Sequence, residues 1–208
     1  MIVDLSKHNV FVSSDAHAYH KNLVAGVTSW RDENGEIPMD SVRDFKDEEI
    51  MTSTLIKNIN NKVGKNDLFI HYGDFSFGGI DNIVRFRKQI NCQNIINING
   101  NHDQHIGLKK IASYEGKQYE IDKLFQEIHY LGFYFKYEKH KFINCHFPFQ
   151  SHDAKEFINL HGHIHSKGDG RFLNKNQFDV GFCGNPNFEP YHISEVLNLL
   201  EKWQKWQI

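Results

Sequence analysis

The chain has few cysteines, no long apolar run and almost no net charge. Its three cysteines, Cys92, Cys145 and Cys183, are odd in number and form no Cys-x-x-Cys pair. This excludes a closed disulfide framework and a cysteine-based zinc or redox motif. We therefore expect ordinary buried thiols in a reducing compartment. No apolar stretch approaches the roughly 20 residues of a membrane-spanning helix, so no membrane partner is expected.

Two further absences concern location and partners. Residues 1–7 lack the basic start and apolar stretch of a secretory signal, so a cytoplasmic protein is expected. The formal net charge of −2 gives no overall basic surface for gripping long nucleic acid. Lysine-rich stretches at 109–110, 136–141 and 167–175 keep nucleic-acid binding open, although charge runs are usually solvated surface. The sequence leaves the oligomeric state open.

The order of apolar and polar segments predicts the fold class. The 208 residues suit one domain, predicted over 1–208. Short apolar segments alternate with longer amphipathic ones, which favours an α/β fold with a largely parallel sheet. Strands are predicted near 9–14, 67–72, 95–98, 134–137, 141–145, 159–161 and 177–183. Helices are predicted at 47–62, 81–90, 119–131 and from 194, with an irregular surface loop at 28–43.

Histidine is abundant, with 14 residues, and it binds divalent metals well near neutral pH. Several histidines belong to short polar motifs, each of which follows a predicted strand. These motifs are Asp15-x-His17, Gly73-Asp74, Gly100-Asn101-His102-Asp103, a lone His146 and Gly162-His163-Ile164-His165. Because strand carboxyl ends form the ligand crevice of α/β folds, we expect the motifs to meet in space.

Each motif taken alone is a weak signal. Asp15 and His17 would project to the same side of an extended strand exit, so both could face one ion. Gly73 permits a sharp turn and a close backbone approach before Asp74. A single histidine is more often a structural or surface residue than a ligand. It is the combination of eight suitable groups, placed at strand ends, that indicates a metal site.

The five motifs, in this order, resemble those of the calcineurin-like metallophosphoesterases. The segments 15–22 and 181–196 also resemble small bacterial and phage members, so the resemblance covers nearly the whole chain. It implies an α/β sandwich in which two central β-sheets are flanked by helices, in αββα layers. It also implies two divalent metal ions, and the nitrogen and oxygen donors suit Mn, Fe, Zn, Ni or Co without choosing among them.

The resemblance also assigns roles to residues. One ion would be held by Asp15, His17, Asp74 and His165. The other would be held by Asp74, Asn101, His146 and His163, with Asp74 bridging the two. A hydroxide between the ions would be the nucleophile, and His102 would be the general acid that steadies the phosphoryl oxygens and protonates the leaving group. His20 and Asn22 are weaker candidates for substrate contact.

The chain departs from better-known relatives in its second motif. In the Ser/Thr protein phosphatases an Asp-Arg-Gly supplies an arginine that grips phosphate, whereas residues 73–79 read Gly-Asp-Phe-Ser-Phe-Gly-Gly here. Phe77 also replaces an acidic residue of other relatives, so Asp103 or a backbone carbonyl would orient His102. Four aromatic residues are expected to pack beneath the site: Phe75, Phe77, Phe147 and Phe149.

These departures shape the functional prediction. A metal-dependent phosphoesterase is expected, with phosphodiesters of nucleotide-like or other small substrates favoured and phosphomonoesters also open. A protein phosphatase is disfavoured. The alternatives are a nuclease or RNA-end-processing enzyme with the same site, acting on a nucleic-acid end, and a non-catalytic scaffold. The scaffold is the weakest of these, because all the metal ligands and His102 are present.

Overall fold

The computed structural model describes residues 2–153 and 155–206. Three α-helices span Glu48–Lys62 (α1), Ile80–Gln89 (α2) and Ile193–Trp206 (α3). The strands are β1 (Ile2–Asp4), β2 (Val10–Ser13), β3 (Leu68–His71), β4 (Asn94–Ile98), β5 (Ile111–Tyr114), β6 (Lys117–Glu120), β7 (Glu127–His129), β8 (Phe133–Tyr137), β9 (His140–Asn144), β10 (Phe157–His161), β11 (Phe172–Asn174), β12 (Gln177–Asp179) and β13 (Tyr191–His192). Within the described ranges, no helix has the length and apolar character needed to cross a membrane.

Two large sheets carry the fold. The first has the strand order β1-β8-β9-β10-β12-β11, and the second has the order β13-β2-β3-β4-β7. In the second sheet, β2, β3, β4 and β7 run parallel to one another, and β13 is antiparallel to β2. In the first sheet, β9, β10 and β12 are parallel. The remaining strands β5 and β6 form a separate antiparallel hairpin.

The alternation of side chains along the second sheet explains why both of its faces are buried. In β2, Val10 and Val12 join an apolar cluster with Phe135 and Phe142 of the first sheet. Phe11, between them, points to the opposite face and joins the cluster that contains α1 and α2. Successive strand residues point to opposite faces, so a strand buried on both sides reads as a continuous apolar run.

The helices complete the layers. Asp47 caps α1 by accepting a hydrogen bond from the Ile50 backbone N–H at 2.7 Å, as expected of an N-cap aspartate. The buried residues of α1 and α2 cover the outer face of the second sheet. From α3, Val196 and Leu200 join the core between the sheets, and Trp203 stacks on Phe172. The predicted α/β sandwich of two sheets flanked by helices is confirmed.

Several local predictions were wrong. No helix forms at 119–131; this segment contains the end of β6, a short 3-10 turn and β7. The reason is tertiary, because Glu127–His129 pairs in parallel with Ile96–Ile98 and extends the second sheet at its edge. The strand predicted at 177–183 ends at Asp179 and is followed by a 3-10 turn.

The fold brings five strand ends together. Motifs follow β2, β3 and β4 in the second sheet and β9 and β10 in the first, as the sequence predicted. Gly73 has a left-handed φ of 94°, and a Cβ there would lie 2.5 Å from the Gly100 nitrogen and 2.7 Å from His146 Nδ1. A side chain at this position would therefore push the second, third and fourth motifs apart.

Candidate metal centre

One group of ligand atoms lies where the β2 and β10 motifs meet. His17 Nε2 is 3.1 Å from His165 Nε2, and His165 Nε2 is 3.4 Å from Asp15 Oδ1. The ligand atoms of Asp15, His17 and His165 all lie within 4.8 Å of one another. Two imidazole nitrogens that face each other beside a buried carboxylate are suited to hold one cation between them.

A second group lies beside the first. His146 Nε2 is 3.2 Å from Asn101 Oδ1 and 3.4 Å from Asp74 Oδ2. The same Asp74 oxygen is also 3.4 Å from His17 Nε2. The His163 ring lies 5.2 Å from the His146 ring, between centroids. One oxygen of Asp74 therefore lies between the two groups, where a carboxylate can bridge two ions.

The backbone is strained at most of the predicted ligands. Five of the seven have a positive φ: Asp15 (56°), His17 (45°), Asp74 (56°), His163 (72°) and His165 (51°). This conformation costs about 1–2 kcal/mol for each non-glycine residue, and such strain clusters at functional sites. The expectation that Asp15 and His17 leave β2 in extended conformation was wrong. Left-handed turns, not strand alternation, aim these side chains at the centre.

Asp103 fastens two of the ligand loops to each other. Its carboxylate accepts hydrogen bonds from the backbone N–H groups of Asp74 at 2.7 Å, Gly100 at 3.0 Å and Phe75 at 3.0 Å. The side chain is 2% exposed. Within the described ranges, none of its hydrogen bonds goes to the His102 ring, which sequence reasoning had suggested it would orient. The catalytic role of Asp103 stays a prediction. Its observed contacts connect the backbones of the Asp74 and Gly100 loops.

His102 lies over the centre. Its backbone N–H donates to Asp74 Oδ1 at 2.9 Å, which fixes the residue next to the bridging carboxylate. Its ring is exposed and has edge contacts with the rings of His17 and Phe77, at centroid distances of 5.4 Å and 5.5 Å. Phe77 thus packs against His102 at the position where relatives carry an acidic residue.

The pKa shifts of three candidate ligand histidines favour the neutral form that binds metal. Burial lowers the pKa of His17, His163 and His165, and neighbouring histidines lower the pKa of His17 and His163 further, so these rings stay neutral. Burial raises the pKa of Asp15 to about 6, although His165 and His146 oppose the rise. Neutral imidazoles and carboxylates are the donors that divalent cations require, so the residues fit the metals that the family resemblance implies.

His146 differs from the other histidines. Burial opposes its charge, but the hydrogen bond to Asp74 and the charges of Asp15 and Asp74 raise its pKa to about 9. Its Nδ1 is 2.6 Å from the Tyr72 carbonyl oxygen, to which an Nδ1–H donates. That bond leaves the Nε2 lone pair directed at Asp74 and Asn101 once the ring is neutral.

Sequence reasoning missed Arg43. The surface loop predicted at 28–43 ends at this arginine, which is 2% exposed. Its guanidinium donates to the carbonyl oxygens of Asp15 and of Ala16, the latter at 2.8 Å. Its Nε lies 3.3 Å from the sulfur of Cys183, which in turn lies 3.5 Å from His165 Nδ1. Arg43 therefore supports the backbone of the first motif from behind, and no local pattern signals this role.

Replacing Arg43 with methionine is expected to destabilise the fold and weaken metal binding. Two carbonyls lose charge-assisted donors, so unfolding in urea should become easier by about 2–4 kcal/mol. Metal affinity, measured by calorimetry, should fall about 10–100-fold because the first motif loses its support. Arg43→Lys should recover part of both losses. Unchanged metal affinity in Arg43→Met would show that the arginine supports folding alone.

The other predicted residues are placed as follows. Phe75 is fully buried beneath the site, as expected, but Phe77 and Phe147 are 39% and 44% exposed, so the expectation for these two was wrong. The His20 ring packs against the Phe77 ring at a tilt, with a centroid distance of 3.9 Å. Asn22 Oδ1 accepts hydrogen bonds from the N–H and hydroxyl of Ser29, which engages this oxygen in its own loop.

The cysteines carry no disulfide, as expected. Only Cys92 is fully buried, whereas Cys145 and Cys183 are half-buried. The expectation of ordinary buried thiols was therefore correct for one of the three, and Cys183 contacts the candidate ligand His165.

Comparisons with known proteins agree with this geometry. The family described as calcineurin-like phosphoesterase matches residues 9–203. The uncharacterized protein MJ1445 of Methanocaldococcus jannaschii is 24% identical over 208 residues, covering 95% of this chain and 94% of that protein. The crystal structure of AQ665 from Aquifex aeolicus, a protein of unknown function, has a TM-score of 0.64 at 18% identity and covers 91% of this chain and 98% of that chain. At that identity the likeness shows the fold alone. The family match spans most of the sequence, so the chain belongs to the calcineurin-like phosphoesterases, a family of metal-dependent hydrolases.

Proposed function

We propose that this calcineurin-like phosphoesterase hydrolyses phosphodiester bonds of nucleotide-like or other small substrates, with two divalent metal ions as cofactors. The observation that carries the proposal is the position of Asp74 Oδ2, 3.4 Å from the Nε2 atoms of both His17 and His146. A carboxylate shared by two sets of nitrogen and oxygen donors is the arrangement that a dinuclear phosphoesterase needs.

The seven ligands would divide as the family resemblance implies. Asp15, His17 and His165 would hold one ion, Asn101, His146 and His163 the other, and Asp74 would contact both. When bound, the ions supply positive charge for the phosphoryl oxygens and a water acidic enough to act as nucleophile at neutral pH. Manganese is the first metal to test, within a set that also includes iron, zinc, nickel and cobalt.

His102 would act on the leaving group. The bond that breaks joins phosphorus to the leaving oxygen, and the bond that forms joins phosphorus to the oxygen of water. The leaving oxygen needs a proton, which the exposed His102 ring would donate. Its fixed backbone, hydrogen-bonded to Asp74 Oδ1 at 2.9 Å, would hold it over the reacting bond.

The charges near the site favour a diester over a monoester. A phosphomonoester brings a second negative charge, which protein phosphatases neutralise with an arginine. Here Arg43 directs its donors at backbone carbonyls behind the site. Arg85 pairs with both oxygens of Glu49, at 2.8 and 2.9 Å. A diester carries a single charge and depends less on such a group.

Several lysines of the basic stretches have local partners, which weighs against the alternative of an enzyme that grips long nucleic acid by its backbone. Lys136 pairs with Asp4 at 3.6 Å, and Lys141 pairs with Glu156 at 3.1 Å. Lys167 donates to the carbonyl oxygens of Met39 and Val42. An enzyme acting on a short or terminal segment of nucleic acid needs fewer backbone contacts and is compatible with this arrangement.

Hydrolysis of two model esters tests the proposal. Protein stripped of metal and reloaded with Mn²⁺ should hydrolyse bis-p-nitrophenyl phosphate with a higher kcat/KM than p-nitrophenyl phosphate. Chelation by EDTA should abolish both activities, and Mn²⁺ should restore them. A higher kcat/KM for the monoester would refute the diester preference, and no turnover with any of the five metals would favour the scaffold alternative.

A further inference from the structure

Two phenylalanines at the candidate centre are exposed although the sequence gives no reason for it. Phe77 is 39% exposed and Phe147 is 44% exposed, and within the described ranges these are the two most exposed of the 17 phenylalanines. Exposing a large aromatic ring sacrifices the free energy that its burial would give. Exposed rings beside a cluster of ligands therefore suggest that a ligand covers them.

The two rings lie beside different histidines of the candidate centre. The Phe77 ring is 5.5 Å from the ring of His102, between centroids. The Phe147 ring is 4.6 Å from the ring of His163 and 4.9 Å from that of His146. One exposed ring therefore lies beside the proposed general acid His102, and the other lies beside the candidate ligands His146 and His163.

The Phe77 side contains further rings. The His20 ring packs against Phe77 with a centroid distance of 3.9 Å and an interplanar angle of 35°, so it contacts the Phe77 ring from one side. Trp30 is 38% exposed, and the centroid of its ring lies 6.0 Å from that of the His20 ring. A group of aromatic rings suits a flat, apolar partner better than a second phosphate.

We propose that Phe77 and Phe147 receive the two bases that flank the scissile phosphodiester of a single-stranded nucleotide substrate. This inference rests on the proposed function and specifies its substrate class. Every base has a π-face that can stack on an aromatic side chain, so recognition would tolerate different sequences. Because His102 must reach the leaving oxygen, the adjacent Phe77 takes the base of the leaving nucleoside. Phe147 takes the base on the other side.

Base stacking is also compatible with the small net charge of the protein. With a net charge of −2, backbone contacts alone would bind single strands weakly. Stacking supplies affinity that does not depend on positive charge. Bases in an intact duplex are already stacked and paired, so duplexes are expected to be poor substrates.

Dinucleotides that lack one base test the inference. The Mn²⁺-loaded protein is given thymidylyl-thymidine and three analogues, in which the leaving base, the other base or both are replaced by an abasic ring. Each missing base should lower kcat/KM about 5- to 150-fold. In Phe77→Leu, removing the leaving base should no longer lower kcat/KM appreciably. Removing the other base should lower kcat/KM as much as in the unmodified protein. Phe147→Leu should show the opposite pattern.

Tyr134→Leu is the matched control, since this 42% exposed ring on β8 packs against Phe157. In this variant, the fold decrease in kcat/KM for each missing base should be the same as in the unmodified protein. Binding provides a second readout that does not depend on turnover. Fluorescence anisotropy of a labelled oligothymidylate, titrated with metal-loaded His102→Ala protein, measures this binding. The protein should bind the oligothymidylate more tightly than an abasic oligomer of equal length.

The outcomes separate this inference from the proposed function. Equal hydrolysis of the dinucleotide and its doubly abasic analogue would overturn base stacking but leave the phosphodiesterase standing. If no diester is hydrolysed, the proposed function fails and the anisotropy measurement decides, because equal binding of both oligomers would overturn the inference as well. Tighter binding of the oligothymidylate would support the inference if this preference is lost when either Phe77 or Phe147 is replaced with leucine.

Discussion

Replacing Asp74 with asparagine is expected to reduce the metal content from two ions per chain to at most one and to abolish most turnover. The Oδ2 atom lies 3.4 Å from the Nε2 atoms of His17 and His146, and Oδ1 accepts the His102 N–H. An amide has one oxygen and no charge, so it cannot serve all three neighbours. The rate should fall by at least about 10³-fold, since losing one charge-stabilising group already costs about 10²–10³-fold. Metal analysis and kcat with a diester measure both effects.

The titration of His146 provides an independent readout in the metal-free protein. Its pKa in the fold, about 9, exceeds its ordinary value of 6.5. A raised histidine pKa contributes stability that is fully present below pH 6.5 and is lost as the pH rises through about 9. Asp74→Asn removes the hydrogen bond and charge that raise this pKa, so we expect it to fall. Nuclear magnetic resonance of the imidazole protons would follow the shift.

Asp40→Asn is the matched control for Asp74→Asn, because Asp40 is an exposed aspartate outside the ligand groups. Two bound ions and a near-normal rate are expected for it. If Asp74→Asn also binds two ions and retains most of its turnover, Asp74 is not the bridging ligand, and the division of ligands into two sets would have to be redrawn.

Replacing His102 with alanine is expected to lower turnover without loss of metal. Its imidazole ring is exposed above the centre, and its fixed contact with Asp74 is made by the backbone N–H, which alanine retains. A positioned general acid contributes about 10²–10⁴-fold, so kcat for a dinucleotide should fall by that factor. Metal content should stay that of the unmodified protein. His8→Ala, at an exposed histidine near the start of the chain, is the matched control.

The leaving group distinguishes the two roles expected of His102. An alkoxide needs a proton to leave, whereas p-nitrophenolate leaves without one. If the ring acts as an acid, His102→Ala should slow the dinucleotide far more than bis-p-nitrophenyl phosphate. Equal losses on both substrates would show instead that the ring stabilises phosphoryl oxygens. Loss of metal in His102→Ala would contradict its placement outside the ligand sets.

The family and the types of ligand could be predicted from the sequence because they depend on short motifs at strand ends. A ligand such as His17 or His163 is identified by its immediate neighbours, and α1 is identified by the cap at Asp47 and the spacing of Met51, Leu55 and Ile59. These signals are local, and they agree with the fold that the structure describes. The substrate was never readable in this way, since it depends on what surrounds the motifs.

Only the tertiary structure decided which residues surround them. Arg43 ends a polar loop, yet the fold buries it behind the first motif. Phe77 and Phe147 look like core residues in the sequence, yet their rings are exposed beside histidines of the candidate centre. Glu127–His129 becomes a strand because β4 offers it an edge to pair with. Burial and strand pairing arise from contacts between distant parts of the chain. Local sequence therefore determined the candidate ligands, and long-range packing determined which residues support and flank them.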